Sequence, residues 1–414
     1  MTPQLKRELG LLGAVLMGLG AIVGTGVFVS IGTSAEMAGA GVILAIILAG
    51  GVAMCNGFNS AQLAASHPVS GGTYEYGYKY LNSWWGFTAG WLFLLAKSAS
   101  AATAALGFAG YLAAMTGIDP FWCVPIAVGV VLLFTILASL GITRSNWANT
   151  AIVLVTMGTL LFFVVGGTPL LMEGRLFNAS WGSIGQVLQA VALMFVAYTG
   201  YGRIATMGEE VADPHRNIPR AMTITLFVSM AIYVLVGVVG VAGGIKGESA
   251  PLVGVGQQYA LPFSGEILTI GASTAMLGVL LNLILGLSRV LLAMARRGDM
   301  PTMLAQITKW GSPVPAVATV GLVIGLLALW ENVKTTWSFS AFTVLMYYGI
   351  TNLCALRLPA QDRLYPSWLA WVGLCACGFL AFWVDWQVWL GGLGMIALGL
   401  VWHLTAKHIM NSVG

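Results

Sequence analysis

The sequence predicts an all-α polytopic membrane protein with about twelve transmembrane helices, on three observations: few charges, many long apolar segments and a one-sided distribution of Lys and Arg. Of the 414 residues, 58% are hydrophobic and only 8% are charged. A soluble domain carries about 25% charged residues, so most of the surface of this chain must face lipid. The net charge of +4 is small and spread along the chain, which argues against nucleic acid binding.

Twelve segments are apolar enough to cross a bilayer as helices. A crossing helix needs about 20 apolar residues, and its backbone polar groups must be paired within it. The predicted spans are Leu11–Ser30, Gly41–Ala64, Trp84–Ala114, Val124–Leu140, Ala148–Gly166, Val187–Met207, Ala221–Val241, Glu266–Ala295, Ala316–Leu329, Phe339–Leu356, Trp368–Phe382 and Val388–Leu404. The third and eighth are long, the ninth and eleventh are short, and the first is predicted to be a retained span and not a signal peptide.

The Lys and Arg residues outside the spans fall mainly on one side of the membrane. With the N-terminus inside, twelve of them face the cytoplasm: Lys6, Arg7, Lys79, Arg144, Arg216, Arg220, Arg296, Arg297, Lys309, Arg357, Arg363 and Lys407. Three face outward: Arg175, Lys246 and Lys334. This bias predicts a multi-pass protein of the cytoplasmic (inner) membrane with both termini in the cytoplasm. Tryptophans near span ends predict an aromatic belt: Trp84, Trp85, Trp330, Trp337, Trp368 and Trp386.

Two spans contain clusters of glycine that are typical of interrupted helices. The first span contains G-T-G at Gly24–Gly26, and the sixth contains Gly200 and Gly202. The sixth span follows the first by five helices, so the two would lie in opposite orientations, which indicates a transporter with inverted repeats. The amides of an opened helix can hold a carboxylate, and its carbonyls can hold an ammonium or a cation. Alternatively, these glycines only let helices pack closely.

Four motifs, in order along the chain, resemble those of the amino acid–polyamine–organocation (APC) superfamily of transporters. They are G-A-I-V-G-T-G-V-F in the first span, F-V-A-Y-T-G-Y-G with G-E-E-V-A-D-P-H-R-N-I-P-R-A at the sixth, L-G-L-S-R-V-L-L-A-M-A-R-R-G-D-M-P at the eighth, and Y-Y-G-I-T-N-L-C-A-L-R at the tenth. The resemblance implies a single transmembrane domain with a LeuT-like fold. Residues 11–172 and 184–358 would form the two inverted repeats of five helices, and residues 366–408 would form helices 11 and 12.

The resemblance also implies where a substrate lies. The carboxylate of an amino acid would meet the helix 1 amides of Gly24, Thr25 and Gly26. Its ammonium would meet carbonyls of helices 1 and 6, which map to Ala21, Ile22, Val196, Ala197 and Thr199. Gly200 and Gly202 complete the predicted site in helix 6. Some proton-driven relatives use a helix 5 lysine, but that position here is Thr156, so the resemblance excludes coupling through a helix 5 lysine.

Three cations lie within the predicted spans, where a charge indicates function by default. Burial disfavours the charged ammonium, so Lys97 in the third span is the candidate proton carrier, or else a ligand for a negative substrate group. The structural alternative is that Lys97 snorkels towards the membrane surface or pairs with a carbonyl. Arg203 is a gating candidate, and the equal alternative is that it pairs with Glu209 and Glu210. For Arg289 we expect a structural role.

Acidic side chains are missing from the middle of every predicted span. A carrier of cationic amino acids or polyamines needs a counter-charge, so the sequence favours a neutral or apolar L-amino acid, with an anionic one possible. The predicted function is secondary active transport by alternating access, coupled to protons, sodium or exchange, by a monomer or homodimer. The sequence lacks a phosphate-binding G-x-x-x-x-G-K-[ST] motif and paired intramembrane acids, so neither an ATP-driven pump nor an enzyme is expected; nor is a cofactor or metal. A cationic amino acid or polyamine antiporter, a channel and an amino-acid sensor remain alternatives.

Overall fold

The computed structural model describes residues 9–69, 71–140, 146–206, 211–247, 250–308, 312–330 and 332–413. Within these ranges the regular elements are helical, and the only β-bridges are two isolated ones. Ten helices are long and apolar enough to cross a membrane, and two shorter apolar helices correspond to the ninth and eleventh predicted spans. The predicted all-helical membrane architecture is therefore confirmed.

The twelve apolar helices are numbered here in chain order. They are α1 Leu11–Ala38, α2 Gly41–Ser66, α3 Ser83–Thr116, α4 Cys123–Ser139, α5 Asn146–Gly166, α6 Ile184–Ala205, α7 Pro214–Ala242, α8 Ser264–Arg297, α9 Val314–Ala328, α10 Val333–Leu356, α11 Trp368–Ala381 and α12 Trp386–Val413. As predicted, α3 and α8 are the long ones, with 34 residues each. A helix of that length is about 50 Å long, which exceeds the roughly 30 Å of hydrocarbon and accommodates a tilt.

Short helices connect the long ones. They are Thr73–Tyr76 and Gly77–Leu81 between α2 and α3, Pro120–Trp122 before α4, Thr168–Met172 and Arg175–Asn178 after α5, Pro251–Gly256 before α8, Thr302–Ala305 after α8, and Ala360–Asp362 after α10. The Gly77–Leu81 segment ends at Asn82, whose side chain then caps α3 by accepting from the amides of Trp84 and Trp85. This cap fixes the point at which α3 enters the bundle.

Helix α3 runs through the centre of the bundle. Its most extensive contacts are with α8 and α10, and it also contacts α4, α9 and α12. Much of its middle consists of small buried residues: Ser98, Ala99, Ser100, Ala101, Ala102, Thr103, Ala104, Ala105 and Gly107. Small side chains let neighbouring helices approach closely in lipid, where hydrophobic burial does not drive helices together. The composition of α3 thus explains its central position.

The helix contacts repeat after a shift of five helices. The contact of α1 with α7 has its counterpart in that of α6 with α2, and α1 with α5 corresponds to α6 with α10. Likewise, α5 packs on α8 as α10 packs on α3. Helices α11 and α12 pack against α10 and have no counterparts of this kind among the described contacts.

Ion pairs lie at both ends of the bundle. At one end, Arg297 donates to both carboxylate oxygens of Glu75, at 2.7 and 3.0 Å. At the other end, Lys334 lies 3.8 Å from Asp385, just before α12. The chain of α12 then returns to the first end, where Trp402 donates to the carbonyl of Asp299. We call the Glu75 end the predicted cytoplasmic end. Lys6, Arg7, Arg144, Lys309, Glu209 and Glu210 lie outside the described residues.

Five of the six tryptophans assigned to the aromatic belt are exposed, between 40% and 60% of their surface: Trp84, Trp85, Trp330, Trp368 and Trp386. The prediction is wrong for Trp337, which is only 4% exposed and donates its indole N–H to the carbonyl of Leu193, 3.0 Å away. Proximity to a span end was the only basis for that prediction. The indole needs a buried partner, and α6 supplies one.

Candidate substrate-binding site

Helix α1 is interrupted where the glycine pattern predicts. The α-helix ends at Ile22, and Val23 adopts an extended conformation with φ −82° and ψ 97°. Helical structure resumes at Gly26 as a short π-helix and continues through Ala38. The first amides of a helix have no partner within it, so the amides around Gly24, Thr25 and Gly26 form the positive end of a half-helix.

Helix α6 does not open in the same way. Tyr198 is followed directly by a 3-10 turn over Thr199–Tyr201, and Gly202 starts the last helical turn. The residues flanking these segments have right-handed helical backbone angles. The predicted interruption of the sixth span is therefore wrong in its form: the helix tightens where an opening was expected.

The glycines at these points let α1 and α6 touch through their backbones. A Cβ on Gly200 would lie 2.5 Å from the amide nitrogen of Ile22 and still closer to the carbonyl of Ala21. A Cβ on Gly26 would lie 2.7 Å from the Cα of Ala197. Both distances are too short for any side chain, so these two glycines serve close helix packing, the alternative left open by the sequence.

A small cavity of about 40 Å³ lies between the α1 interruption and α6. Its lining contains eight of the ten predicted binding residues, all except Gly24 and Gly202, and adds Lys97, Ser100, Val279, Leu283 and Trp337. The ammonium of Lys97 reaches across from α3 and donates to the hydroxyl of Thr199 at 2.8 Å. Because one water occupies about 30 Å³ of liquid, the cavity has room for one small polar group.

The hydroxyl of Thr25 faces this cavity without a partner. Thr25 is only 4% exposed and lines the cavity, yet its Oγ1 has no hydrogen bond to any described residue. The other two hydroxyls of the lining are paired: that of Ser100 shares a hydrogen bond of 2.7 Å with Ser340, and that of Thr199 accepts from Lys97. A buried hydroxyl without a partner loses about 1–3 kcal/mol relative to one that is paired, so a hydrogen-bonding partner for Thr25 would be stabilising.

A larger cavity of about 390 Å³ adjoins the small one. Six residues line both cavities: Ala21, Lys97, Thr199, Gly200, Val279 and Leu283. The larger cavity extends to Gly71 and Tyr74 at the predicted cytoplasmic end, and its wall includes the apolar or aromatic residues Phe93, Val279, Leu283, Leu287, Val290, Tyr347 and Tyr348. A volume of this size accommodates an amino acid side chain.

All three cations that lie within predicted spans line the larger cavity. Lys97, Arg203 and Arg289 all line it, together with the amide of Asn282, and none of its described lining residues is acidic. The sequence favoured a structural role for Arg289, but its side chain is exposed in the cavity wall. The predicted contacts of Arg203 with Glu209 and Glu210 lie outside the described residues.

The backbone carbonyls predicted to bind the substrate ammonium already have neighbours. The hydroxyl of Tyr233 on α7 donates to the carbonyls of Ile22 and Ala197, at 2.9 and 3.1 Å. The carbonyl of Val196 accepts from the Thr199 hydroxyl at 2.8 Å, and that of Thr199 accepts from Tyr348 at 3.3 Å. The fifth, the carbonyl of Ala21, lies against the backbone of Gly200.

The cavity wall at the predicted cytoplasmic end is held by a buried carboxylate. Asp299, 6% exposed, accepts hydrogen bonds of 2.7 Å from the hydroxyls of both Tyr74 and Tyr78. The ring of His403 on α12 lies 3.5 Å from the same carboxylate. Burial and the hydrogen bond to Asp299 raise the pKa of Tyr74 above its ordinary value, so its hydroxyl remains a donor. This cluster ties the connection before α3 to α8 and α12.

Comparison with known proteins decides the family. The model of the amino acid permease family matches residues 13–410. The chain belongs to the amino acid permease family. This confirms the resemblance to the APC superfamily and identifies the chain as a transporter and not an enzyme.

Relatives of this permease bear transport names. It is 38% identical to an uncharacterized transporter of Mycobacterium tuberculosis over 96% of this chain and 90% of the relative. It is 29% identical to the branched-chain amino acid permease BcaP of Bacillus subtilis over 78% of this chain and 75% of the relative. It is 28% identical to human cationic amino acid transporter 4, over 89% of this chain and 62% of the relative.

Several residues of the permease site were not predicted from the sequence. Tyr347 and Tyr348 lie in the Y-Y-G motif that carried the resemblance, yet they were given no role. Tyr233 and Asn282 are polar residues within mainly apolar spans, but neither is the only polar residue of its span, so the sequence signal was weak. Thr156 on α5 has a local hydrogen bond instead, because its hydroxyl donates to the carbonyl of Ile152 in its own helix.

Proposed function

We propose that this permease carries neutral or apolar L-amino acids by secondary active transport with alternating access. The observation that supports this most directly is the pair of adjoining cavities around Lys97. The smaller cavity offers donors for a carboxylate, and the larger offers about 390 Å³ for a side chain, with a wall that is mainly apolar but also carries Arg203 and Arg289. The acid-free described lining disfavours cationic amino acids and polyamines, because a second substrate cation finds no counter-charge there.

The substrate carboxylate is placed at the small cavity. The half-helix that starts at Gly26 has its N-terminal end at this cavity, because Thr25 and Gly26 line it, and the positive end of a helix favours an anion. The Thr25 hydroxyl and the Lys97 ammonium line the same space. A charge-assisted hydrogen bond is roughly twice as strong as a neutral one, so Lys97 would contribute most of the attraction.

The movement is proposed to follow two inverted repeats, residues 11–172 and 184–358. The contacts that recur after a shift of five helices support this division. Rocking of one group of helices against another would close the cavity at Tyr74 and open a path on the opposite side. We place both termini in the cytoplasm, as the positive-inside distribution supports, so the described cavity would face inward.

Lys97 is proposed to link transport to protons. Its ammonium is held by Thr199, which belongs to the 3-10 turn of α6, so a change in its charge would be felt by α3 and α6 together. Loss of the proton would weaken this hydrogen bond and the hold on a carboxylate at the same time.

The first experiment is ligand-induced thermal stabilisation of the purified permease with the common amino acids and polyamines, at about pH 5.5 and about pH 7.5. A ligand that binds the folded state stabilises it by mass action. We expect stabilisation by neutral amino acids. Stabilisation by arginine or polyamines would overturn the argument from the missing acids, and no stabilisation by any compound would contradict the proposed amino acid substrate and favour a channel.

The coupling role is tested with Lys97→Met in proteoliposomes under a pH gradient. We expect this variant to lose proton-driven accumulation while binding remains detectable but weaker. Lys79→Met is the matched control, since that exposed lysine contacts His67 in the connection before α3. Unchanged proton-driven accumulation in Lys97→Met would refute the coupling role.

A further inference from the structure

The carbonyls around the small cavity are already engaged. Those of Ile22 and Ala197 share one donor, the Tyr233 hydroxyl, and those of Val196 and Thr199 accept from side-chain hydroxyls. The carbonyl of Ala21 is covered by the backbone of Gly200. A substrate ammonium would have to share these acceptors with existing donors or displace them.

Two side-chain donors at the same cavity are, in contrast, available. The Thr25 hydroxyl has no partner among the described residues. The backbone amides of Val27 and Phe28 in the first turn of the half-helix both donate to the carbonyl of Gly24, so these two amides are not free for a ligand and the side-chain donors remain. The Lys97 ammonium has three N–H donors, of which one is directed at Thr199. Each of the four hydrogen-bonded carbonyls keeps a second lone pair, so it is the free side-chain donors and the positive charge of Lys97 that describe a site for an anion.

Lys97 also places a positive charge where a substrate ammonium would lie. It contacts Thr199, one of the residues expected to receive that ammonium. Two like charges at close range in a region of low dielectric repel each other, and the described lining of both cavities contains no acid to offset this. The protein thus supplies the cation itself.

We propose that the ligand class of this site is the monocarboxylate, recognised through its carboxyl group, with the amine dispensable. A 2-hydroxy acid would then bind about as well as the amino acid of the same shape. The inference rests on the proposed placement of the carboxylate at Thr25 and Lys97, and it extends the substrate class beyond amino acids.

The test uses two sets of shape-matched compounds with the purified permease, with affinities measured by titration calorimetry. One set is alanine, lactate and ethylamine. The other is leucine, 2-hydroxy-4-methylpentanoate and 3-methylbutylamine. We expect each hydroxy acid to bind within about threefold of its amino acid, because the amine contributes little net free energy, and we expect neither amine to bind.

Two variants test whether the carboxylate binds at Thr25 and Lys97, and a third serves as the control. Thr25→Val and Lys97→Met should both weaken binding of the hydroxy acids. The affinity should fall by about tenfold or more in Lys97→Met, because that variant loses one charge-assisted hydrogen bond to the carboxylate. Thr225→Val is the matched control, because Thr225 also has a buried hydroxyl without a described partner but lines neither cavity. Equal affinities in Thr25→Val, Lys97→Met and the control would overturn the assignment.

Tyr233→Phe tests the engaged carbonyls directly. Removing this hydroxyl frees the acceptors at Ile22 and Ala197, so the amino acids should gain affinity relative to the hydroxy acids. Tyr259→Phe is the control, since Tyr259 donates to the carbonyl of Phe163 away from both cavities. The same ratio of affinities in both variants would contradict the inference.

The outcomes separate the two proposals. Amino acids that bind more than about thirtyfold tighter than their hydroxy acids would overturn the inference and leave amino acid transport intact. Binding of the amines would overturn the carboxylate placement and, with it, the inference. Failure of all six compounds would overturn both this inference and the neutral amino acid class of the proposed function.

Discussion

Replacing Gly200 by Ala tests whether the approach of α1 to α6 is as close as the structure shows. The added Cβ would lie 2.5 Å from the amide nitrogen of Ile22, whereas ordinary van der Waals contact begins at 3.4 Å. The two backbones would have to separate by at least 0.9 Å, the difference of these two distances. Neither neighbour is a flexible side chain that can turn away, so the helices themselves must move.

The energetic cost follows from this geometry. Overpacking a well-packed interior costs about 1–3 kcal/mol. The matched control is Gly129→Ala on α4, where Gly129 is exposed and no atom lies within 4 Å of the added Cβ. There the better helix propensity of alanine is worth up to about 1 kcal/mol. The two variants should therefore differ in free energy of unfolding by about 2–4 kcal/mol.

The assay is thermal unfolding of the purified variants at one fixed heating rate, combined with uptake into proteoliposomes. At about 2 °C per kcal/mol, Gly200→Ala should unfold at least about 4 °C below Gly129→Ala. Its uptake should fall as well, because Gly200 lines both cavities. Equal unfolding temperatures and equal uptake in the two variants would refute the close backbone contact.

Two further substitutions probe the polar interior, with thermal unfolding as the measurement. Asn352→Leu should destabilise by about 1–3 kcal/mol for each partner left unsatisfied, because the buried amide of Asn352 donates to Asn56 at 2.6 Å and accepts from Asn59 at 2.8 Å; wild-type stability would contradict that amide network. Asp299→Asn should cost about 1–3 kcal/mol, because an amide nitrogen cannot accept from the two tyrosine hydroxyls. Glu75→Gln, which breaks only a partly exposed ion pair, should cost less than about 1 kcal/mol, and the reverse order would show that the Asp299 cluster is not the stronger restraint.

Much of the architecture could be predicted from local patterns. Runs of apolar residues located the spans, because lipid excludes unpaired backbone groups over a fixed thickness. The G-T-G of the first span located the interruption that the structure has at Val23. Lys97 could be singled out because a charge within an apolar span is costly and rarely accidental. Each of these inferences depends on residues that are neighbours in sequence.

The details of the site depended on partners from distant parts of the chain. Gly200 and Gly202 resemble helix breakers in sequence, but only the packing of α6 against α1 shows that Gly200 permits a contact inside an unbroken helix. Trp337 resembles a belt residue until its hydrogen bond to Leu193 is seen. Position along a span carries no information on which neighbour will be present.

The sequence by itself thus determined that this is a polytopic amino acid permease with a cation at its centre, because composition, span length and motif order are properties of the linear chain. Only the tertiary structure decided what that cation faces. Tyr233 and Ile22 are 211 residues apart, yet their hydrogen bond engages an acceptor predicted for the substrate. Whether a carbonyl is free for a ligand depends on which distant side chains fold beside it, and local sequence patterns do not specify those contacts.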